Sequence, residues 1–134
     1  RTAIAEGEIA ILQSTESAPE WGGHWFQRMV QARRLQPRCL VEYERCAFIG
    51  NTGEGPIRLT LDRDVRCALT ASWRLDAEGD PVPLLTGAVI LELKYRVAMP
   101  GLFKRLLADL GLNPGRASKY RLGVAAHGLA KGSS

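Results

Sequence analysis

The sequence is poor in the residues that build disulfide frameworks and metal centres. It contains three cysteines, Cys39, Cys46 and Cys67, and only two histidines. An odd number of cysteines without a Cys-x-x-Cys spacing argues against a disulfide framework and against a zinc ribbon. His24 and His127 do not stand at a metal-ligand spacing. We therefore interpret the cysteines as buried apolar residues, and we expect the protein to reside in the reducing cytoplasm.

Long apolar runs are also missing. The most apolar stretch, Leu84 to Leu93, is interrupted by Gly87 and Glu92. A helix needs roughly 18–20 apolar residues to cross a bilayer, and no segment reaches that length. No secretory signal pattern is found either. The sequence therefore predicts no membrane span.

What remains is ordinary globular material with an excess of arginine. The 134 residues are 46% hydrophobic and 24% charged, which predicts one domain with a core. The net charge is +4, and 14 of the 18 basic residues are Arg. The planar donor fork of Arg matches phosphate and carboxylate oxygens. A GC-rich genome produces the same bias, so the composition permits anion binding without requiring it.

Two segments have the period of an amphipathic helix. Residues 24–35 place Trp25, Met29 and Ala32 on one stripe, which predicts a helix that packs through its tryptophan. Residues 102–110 carry leucines at helical spacing and end at a glycine. We therefore expect helices that flank the rest of the fold.

Four other segments alternate apolar and polar residues, as β-strands do. The predicted strands are 38–49, 57–61, 65–75 and 88–96, joined by turns at 50–56 and 76–83; residues 115–121 are a short strand or loop, and 132–134 an irregular end. Glu92, Lys94 and Arg96 form a dense charged row on the last long strand. Two arrangements fit: an antiparallel sheet with one solvated face, or a barrel whose charged faces line a channel.

Four motifs in a fixed order make the sequence specific. They are Val-Glu-Tyr-Glu-Arg-Cys-Ala-Phe at 41–48, Ile-Arg-Leu-Thr-Leu-Asp at 57–62, Ile-Leu-Glu-Leu-Lys at 90–94 and Ser-Lys-Tyr at 118–120. Together, over Pro37 to Gly123, they resemble the VTC domain. This is the polyphosphate polymerase domain of the vacuolar transporter chaperone complex and its bacterial relatives, within the triphosphate tunnel metalloenzyme (CYTH-like) superfamily.

The resemblance implies a fold and an activity. The fold is α+β, with an antiparallel sheet that forms part of a tunnel-like β-barrel with flanking helices. The implied activity is a phosphotransferase that moves the terminal phosphoryl group of ATP onto a polyphosphate chain, with manganese or magnesium as the cofactor. Such a transfer depends mostly on positioning and on charge neutralisation, which a basic tunnel provides.

The resemblance also implies roles for particular residues. Arg45, Arg58 and Lys119 are the expected catalytic residues, and Glu92 is the expected metal ligand. The expected substrate-binding residues are Tyr43, Arg45, Arg58, Lys94, Arg116, Ser118 and Lys119.

The same residues have a purely structural interpretation. Tyr43 shares a predicted face with apolar residues, as a core tyrosine does. The charged residues would then form surface salt bridges, Arg45 or Arg58 with Glu42 or Asp62, and Glu92 with Lys94. Such pairs contribute little to stability.

Part of the family pattern is absent. The family has early strands with a Lys and an Arg-x-Arg pair, and no such motif precedes His24. We therefore expect residues 1–134 to form a single domain without its early N-terminal strands. Either a completing segment or another copy of the chain in a homo-oligomer supplies them, or the protein has lost them.

Three functions remain open at this point. The first is a metal-dependent polyphosphate polymerase that uses ATP. The second is a non-catalytic module that binds triphosphate or polyphosphate, and the third is a tripolyphosphatase on the same scaffold. No nucleic-acid motif is found, so we expect no nucleic-acid partner.

Overall fold

The computed structural model describes residues 3–129 of the chain. It has an α+β fold, with short helices and four antiparallel strands. The elements are a 3₁₀ turn Glu6–Glu8, α1 Ile9–Gln13, α2 His24–Arg33, β1 Cys39–Thr52, β2 Gly55–Leu69, β3 Glu78–Pro83, β4 Ile90–Lys94, α3 Gly101–Asp109 and α4 Lys119–Ala126.

The sheet is organised around β2, which pairs with β1, β3 and β4. The strands β1 and β2 form a hairpin with its turn at Gly53 and Glu54. β4 runs antiparallel to β2, with Arg58 opposite Lys94 and Thr60 opposite Glu92. The α+β class and the antiparallel sheet are confirmed. Within residues 3–129 the sheet is open, so the expected barrel is not formed by these strands.

The strand β2 is longer than the sequence suggested. Two strands, 57–61 and 65–75, were expected, and one strand, Gly55–Leu69, is observed. Asp64 lies in its middle with a positive φ of 49°, a conformation that aspartate tolerates better than most residues. The buried positions change from even to odd numbers there, as at a β-bulge. The change of parity explains why the pattern resembled two strands.

Two other segments differ from the expectation. The predicted turn at 76–83 contains β3. The predicted strand or loop at 115–121 contains the first residues of helix α4, which begins at Lys119. Ser118 accepts a hydrogen bond from the Arg121 amide and so caps this helix. A serine before a short, weakly amphipathic segment was the available signal. The predicted irregular end at 132–134 lies outside the described residues.

The chain divides into two compact units. The first comprises the chain up to Leu40 together with Ala68–Asp80. Its centre is Gln27, which has no exposed surface and hydrogen-bonds to the backbone of Ala18, Ile11 and Glu16. These bonds hold the loop between α1 and α2.

The buried face of α2 was predicted incorrectly. Gln27 and Val30 are buried, whereas Trp25 and Met29 of the predicted stripe are exposed. The loop before α2 satisfies the amide of Gln27, and this tertiary contact outweighs the apolar pattern.

The second unit comprises Val41–Cys67 and the chain from Pro81 onwards. Its core includes Val65, Cys67 and Phe103. A ring nitrogen of His127 lies 3.1 Å from the carbonyl oxygen of Cys67, which fixes the end of α4 against β2. Of the three cysteines only Cys67 is buried, so the prediction of three buried cysteines was wrong for Cys46, which is exposed. No helix within residues 3–129 is long and apolar enough to cross a membrane.

Candidate functional site

Charged and polar side chains from four elements of the second unit converge at the sheet. We call this group the charged cluster. Its members are Tyr43 and Arg45 of β1, Arg58, Thr60 and Asp62 of β2, Glu92 and Lys94 of β4, and Lys119 of α4.

Asp62 lies at the centre of the charged cluster. Arg45 donates from Nε to Oδ1 at 2.6 Å and from Nη2 to Oδ2 at 2.8 Å, which is a bidentate pair. The Lys119 Nζ lies 2.5 Å from the same Oδ2. The Asp62 side chain has 0% exposed surface, so both cations neutralise a carboxylate that water does not reach.

These contacts control the protonation of Asp62. The hydrogen bonds from Arg45, followed by those from Lys119, lower the pKa of Asp62 from 3.8 to about 2, although burial acts in the opposite direction. The hydrogen bonds between Arg45 and Asp62 also raise the pKa of Arg45. The pair is therefore fully ionised at neutral pH.

Glu92 forms the second anionic point of the charged cluster. Lys94 Nζ lies 3.1 Å from its Oε1, and Arg45 Nη2 lies 3.8 Å from its Oε2. The hydroxyl of Thr60 donates to Oε2 at 3.4 Å. The hydrogen bond from Lys94 is the main cause of a lowered pKa at Glu92. Glu92 keeps part of its surface exposed, unlike Asp62.

Tyr43 contacts two of the cations through its ring. The guanidinium carbon of Arg45 lies 5.0 Å from the ring centroid, and Lys119 Nζ lies 4.7 Å from it. Both distances are within the range of cation–π attraction. Tyr43 remains partly exposed and is therefore not a core tyrosine.

Arg58 adds a cation that has no carboxylate partner within residues 3–129. It lies opposite Lys94 in the β2–β4 register, so the two side chains share a face. Its Nε is buried and has no hydrogen-bond partner among the described residues. A buried donor of this kind destabilises the fold unless an acceptor forms a hydrogen bond with it.

Two of the predicted substrate residues lie just before or at the start of α4. Ser118 precedes Lys119, and its oxygen caps α4, although a hydroxyl that accepts one bond can still donate another. Arg116 is exposed in the loop before α4. The structure therefore brings together Tyr43, Arg45, Arg58, Lys94, Lys119 and Glu92, whereas Ser118 is the chain neighbour of Lys119 and Arg116 lies in the preceding loop.

Two residues of the charged cluster were not predicted as site residues. Asp62 was considered only as a surface partner of an arginine, and Thr60 was not considered. Both are buried. The signal for them was the Arg-x-Thr-x-Asp alternation, which places three polar side chains on one face of β2.

The charged cluster was tested for its fit to a divalent metal. Magnesium is usually held by one or two carboxylates together with phosphate oxygens and water. Within residues 3–129 no three Asp, Glu, His or Cys side chains are grouped for a metal. Asp62 is occupied by two cations, and Glu92 supplies a single partly exposed carboxylate. These residues fit a metal that arrives with a phosphate chain, and they do not form a metal centre by themselves.

Comparison with known proteins gives one match. A family model described as the VTC domain matches residues 4–127. The match extends upstream of the segment 37–123 that carries the four motifs. No curated protein and no solved structure matched the chain.

Proposed function

The chain belongs to the VTC domain family, which implies a polyphosphate-related function, and from this premise we propose that its charged cluster binds the phosphate chain of a metal-dependent polyphosphate polymerase. The proposed reaction transfers the terminal phosphoryl group of ATP to a polyphosphate end. The oxygen of that end forms the new bond to phosphorus, the bond to the β-phosphate oxygen breaks, and ADP leaves.

The buried Nε of Arg58, which has no hydrogen-bond partner in the described part of the chain, is the observation that supports this proposal most directly. The charged cluster contains four cations, Arg45, Arg58, Lys94 and Lys119, against the two carboxylates Asp62 and Glu92. The cationic excess and the buried Nε of Arg58 both favour an anion with several oxygens. A phosphate chain is such an anion, and charge-assisted bonds to it are about twice as strong as neutral ones.

The four cations of the charged cluster, and the two predicted residues before Lys119, have separate roles in the proposed transfer. Arg58 and Lys94, which are neighbours across β2 and β4, would bind phosphate oxygens together. Arg45 and Lys119 would neutralise the charge that spreads over the transferred group. Ser118 and Arg116 would contact the chain where it leaves the sheet.

Glu92 is the proposed ligand for magnesium or manganese. Its exposed carboxylate would complete the coordination of a metal that is already bound to phosphate oxygens. When bound, that metal supplies further positive charge to the phosphate chain. Lys94 would then shift from Glu92 towards phosphate.

The tunnel belongs to the same proposal. β1 pairs with β2 alone among the described strands, so one edge of β1 is open. A tunnel requires further strands at open edges. We propose that a completing segment or another copy of the chain supplies them, and that the protein acts in the cytoplasm, where ATP is available.

A non-catalytic polyphosphate receptor is the second candidate. The ion pairs of Asp62 and Glu92 support it, because they neutralise part of the charged cluster without any ligand. A receptor needs only reversible binding, and an incoming phosphate chain would displace these internal pairs. A tripolyphosphatase on this scaffold would use the same residues with water as the nucleophile.

One assay separates the three functions. The protein is incubated with manganese or magnesium and with either ATP or tripolyphosphate, and polyphosphate, free phosphate and bound substrate are all measured. Polyphosphate formation that is lost in Lys119→Gln supports the polymerase, and Glu92→Gln should weaken the metal dependence. Phosphate release from tripolyphosphate without chain growth would indicate a tripolyphosphatase. Binding without turnover would indicate a receptor and contradict the polymerase.

A further inference from the structure

Asp62 has no place in the roles derived so far, although it is the most buried charge of the cluster. We infer that Asp62 is a positioning residue, which holds Arg45 and Lys119 so that their remaining donors face one phosphate-binding space. The inference rests on the proposed binding of a phosphate chain and adds a residue to it.

The contact with Arg45 leaves most of the arginine available. A guanidinium has five N–H donors in a fixed plane. Two of them, on Nε and Nη2, bind the two oxygens of Asp62. The bidentate contact fixes the plane of the guanidinium group. The donors on Nη1 take no part in this contact. Because 33% of the Arg45 side chain is exposed, part of the arginine is open to an approaching anion.

The contact with Lys119 joins a second element to the same carboxylate. Lys119 is the first residue of α4, and its Nζ contacts the oxygen that also accepts from Arg45 Nη2. Two cations this close repel each other unless an anion lies between them. Asp62 supplies that anion, and the ring of Tyr43 lies beside both cations. The pair is therefore assembled before any ligand arrives.

Positioning and simple electrostatics predict opposite effects for the removal of Asp62. If Asp62 acts only as a nearby negative charge, its loss should strengthen the binding of an anion. If Asp62 positions Arg45 and Lys119, its loss should weaken binding although the site gains a positive charge. The sign of the change therefore distinguishes the two roles.

The experiment is a calorimetric titration of the chain with tripolyphosphate at fixed ionic strength. We expect Asp62→Asn to weaken binding about tenfold, which is the loss of one well-oriented charged contact. In an Arg45→Gln background the same change should weaken binding less than threefold, because one of the two cations to be positioned is gone. General loosening of the fold would give the same loss in both backgrounds.

A matched control lies on the same two strands. Glu44→Gln removes a carboxylate that pairs with Arg63 at 2.8 Å in an exposed position outside the charged cluster, and it should leave binding unchanged. If Asp62→Asn does not fold, Arg45→Lys replaces it, because lysine keeps the charge and loses the fork. Arg45→Lys should also bind about tenfold more weakly.

The outcomes separate the inference from the function on which it rests. Unchanged or tighter binding by Asp62→Asn, or unchanged binding by Arg45→Lys, overturns the positioning role while the phosphate site stands. An equal loss by Asp62→Asn in both backgrounds also overturns it. No binding of tripolyphosphate by the unsubstituted chain overturns the proposed function, and the positioning role with it.

Discussion

Two ion pairs join the same two strands and differ in almost everything else. Arg45 of β1 pairs with Asp62 of β2 at 2.6 Å, and Glu44 of β1 pairs with Arg63 of β2 at 2.8 Å. Asp62 has 0% exposed surface, whereas Glu44 and Arg63 are 62% and 72% exposed. Because neighbouring residues of a strand point to opposite faces, the two pairs lie on opposite sides of the hairpin.

The two distances are similar and the burial is not, so distance alone does not characterise these ion pairs. The Glu44–Arg63 pair is solvated on both sides, and exposed pairs contribute about 0–1 kcal/mol. In the Arg45–Asp62 pair, Asp62 also contacts Lys119 and Arg45 also contacts Glu92. A substitution at one of these residues therefore changes the electrostatic environment of the others. The proposed phosphate site therefore lies on the face of Arg45, whereas the pair on the face of Glu44 is solvated.

The largest expected effect comes from breaking the buried pair. Arg45→Met leaves Asp62 with Lys119 alone, and we expect a loss of about 3 kcal/mol in the free energy of unfolding, the lower end for breaking a buried pair. Chemical denaturation measures this loss. In the matched variant Arg63→Met the loss should stay below about 1 kcal/mol. Equal losses in the two variants would remove the distinction between the two faces.

Acid should lower the free energy of unfolding by protonating Asp62 of the buried pair. Its pKa is about 2 in the folded protein and 3.8 when unperturbed, so its stabilising contribution is complete above about pH 4 and is lost as the pH falls through 2. That contribution is about 2 kcal/mol. The lowered pKa of Glu92 acts in the same direction. Unfolding measured from pH 6 to pH 2 should show a smaller decline in Asp62→Asn, and an identical decline would contradict the assigned pKa.

The smallest expected effect lies at the helix that carries Lys119. Ser118 caps α4 through the Arg121 amide, and Ser118→Ala should lower the free energy of unfolding by about 1 kcal/mol. Ser118→Asp keeps a cap and should restore it. If Ser118→Ala were as stable as the unsubstituted chain, the cap would not contribute to holding Lys119.

The sequence predicted the cationic half of the charged cluster better than the anionic half. Arg45, Arg58, Lys94 and Lys119 stand in motifs whose order is specific, and the structure places all four on the second unit. Asp62 was missed as a site residue because alternation shows which residues share a face and does not show which face is buried. Here the polar face of β2 is buried around Thr60 and Asp62.

Local patterns failed where tertiary contacts decide the structure. The stripe of Trp25 and Met29 predicted the buried side of α2, but the amide of Gln27 lies there and organises a loop. The helix α4 was missed because its apolar periodicity is weak, and it is held by Lys119 and His127 against β2. These contacts join residues far apart in the chain.

The most direct test of the account is tripolyphosphate binding to the chain with Arg58 and Lys119 both replaced by alanine. The account predicts that binding weakens by more than about a hundredfold, since two charged contacts are lost and each is worth roughly 1.5 kcal/mol or more. Arg63→Ala, on the opposite face, should bind as the unsubstituted chain does. Equal affinity in the double variant and the unsubstituted chain would show that the phosphate chain does not bind at the charged cluster.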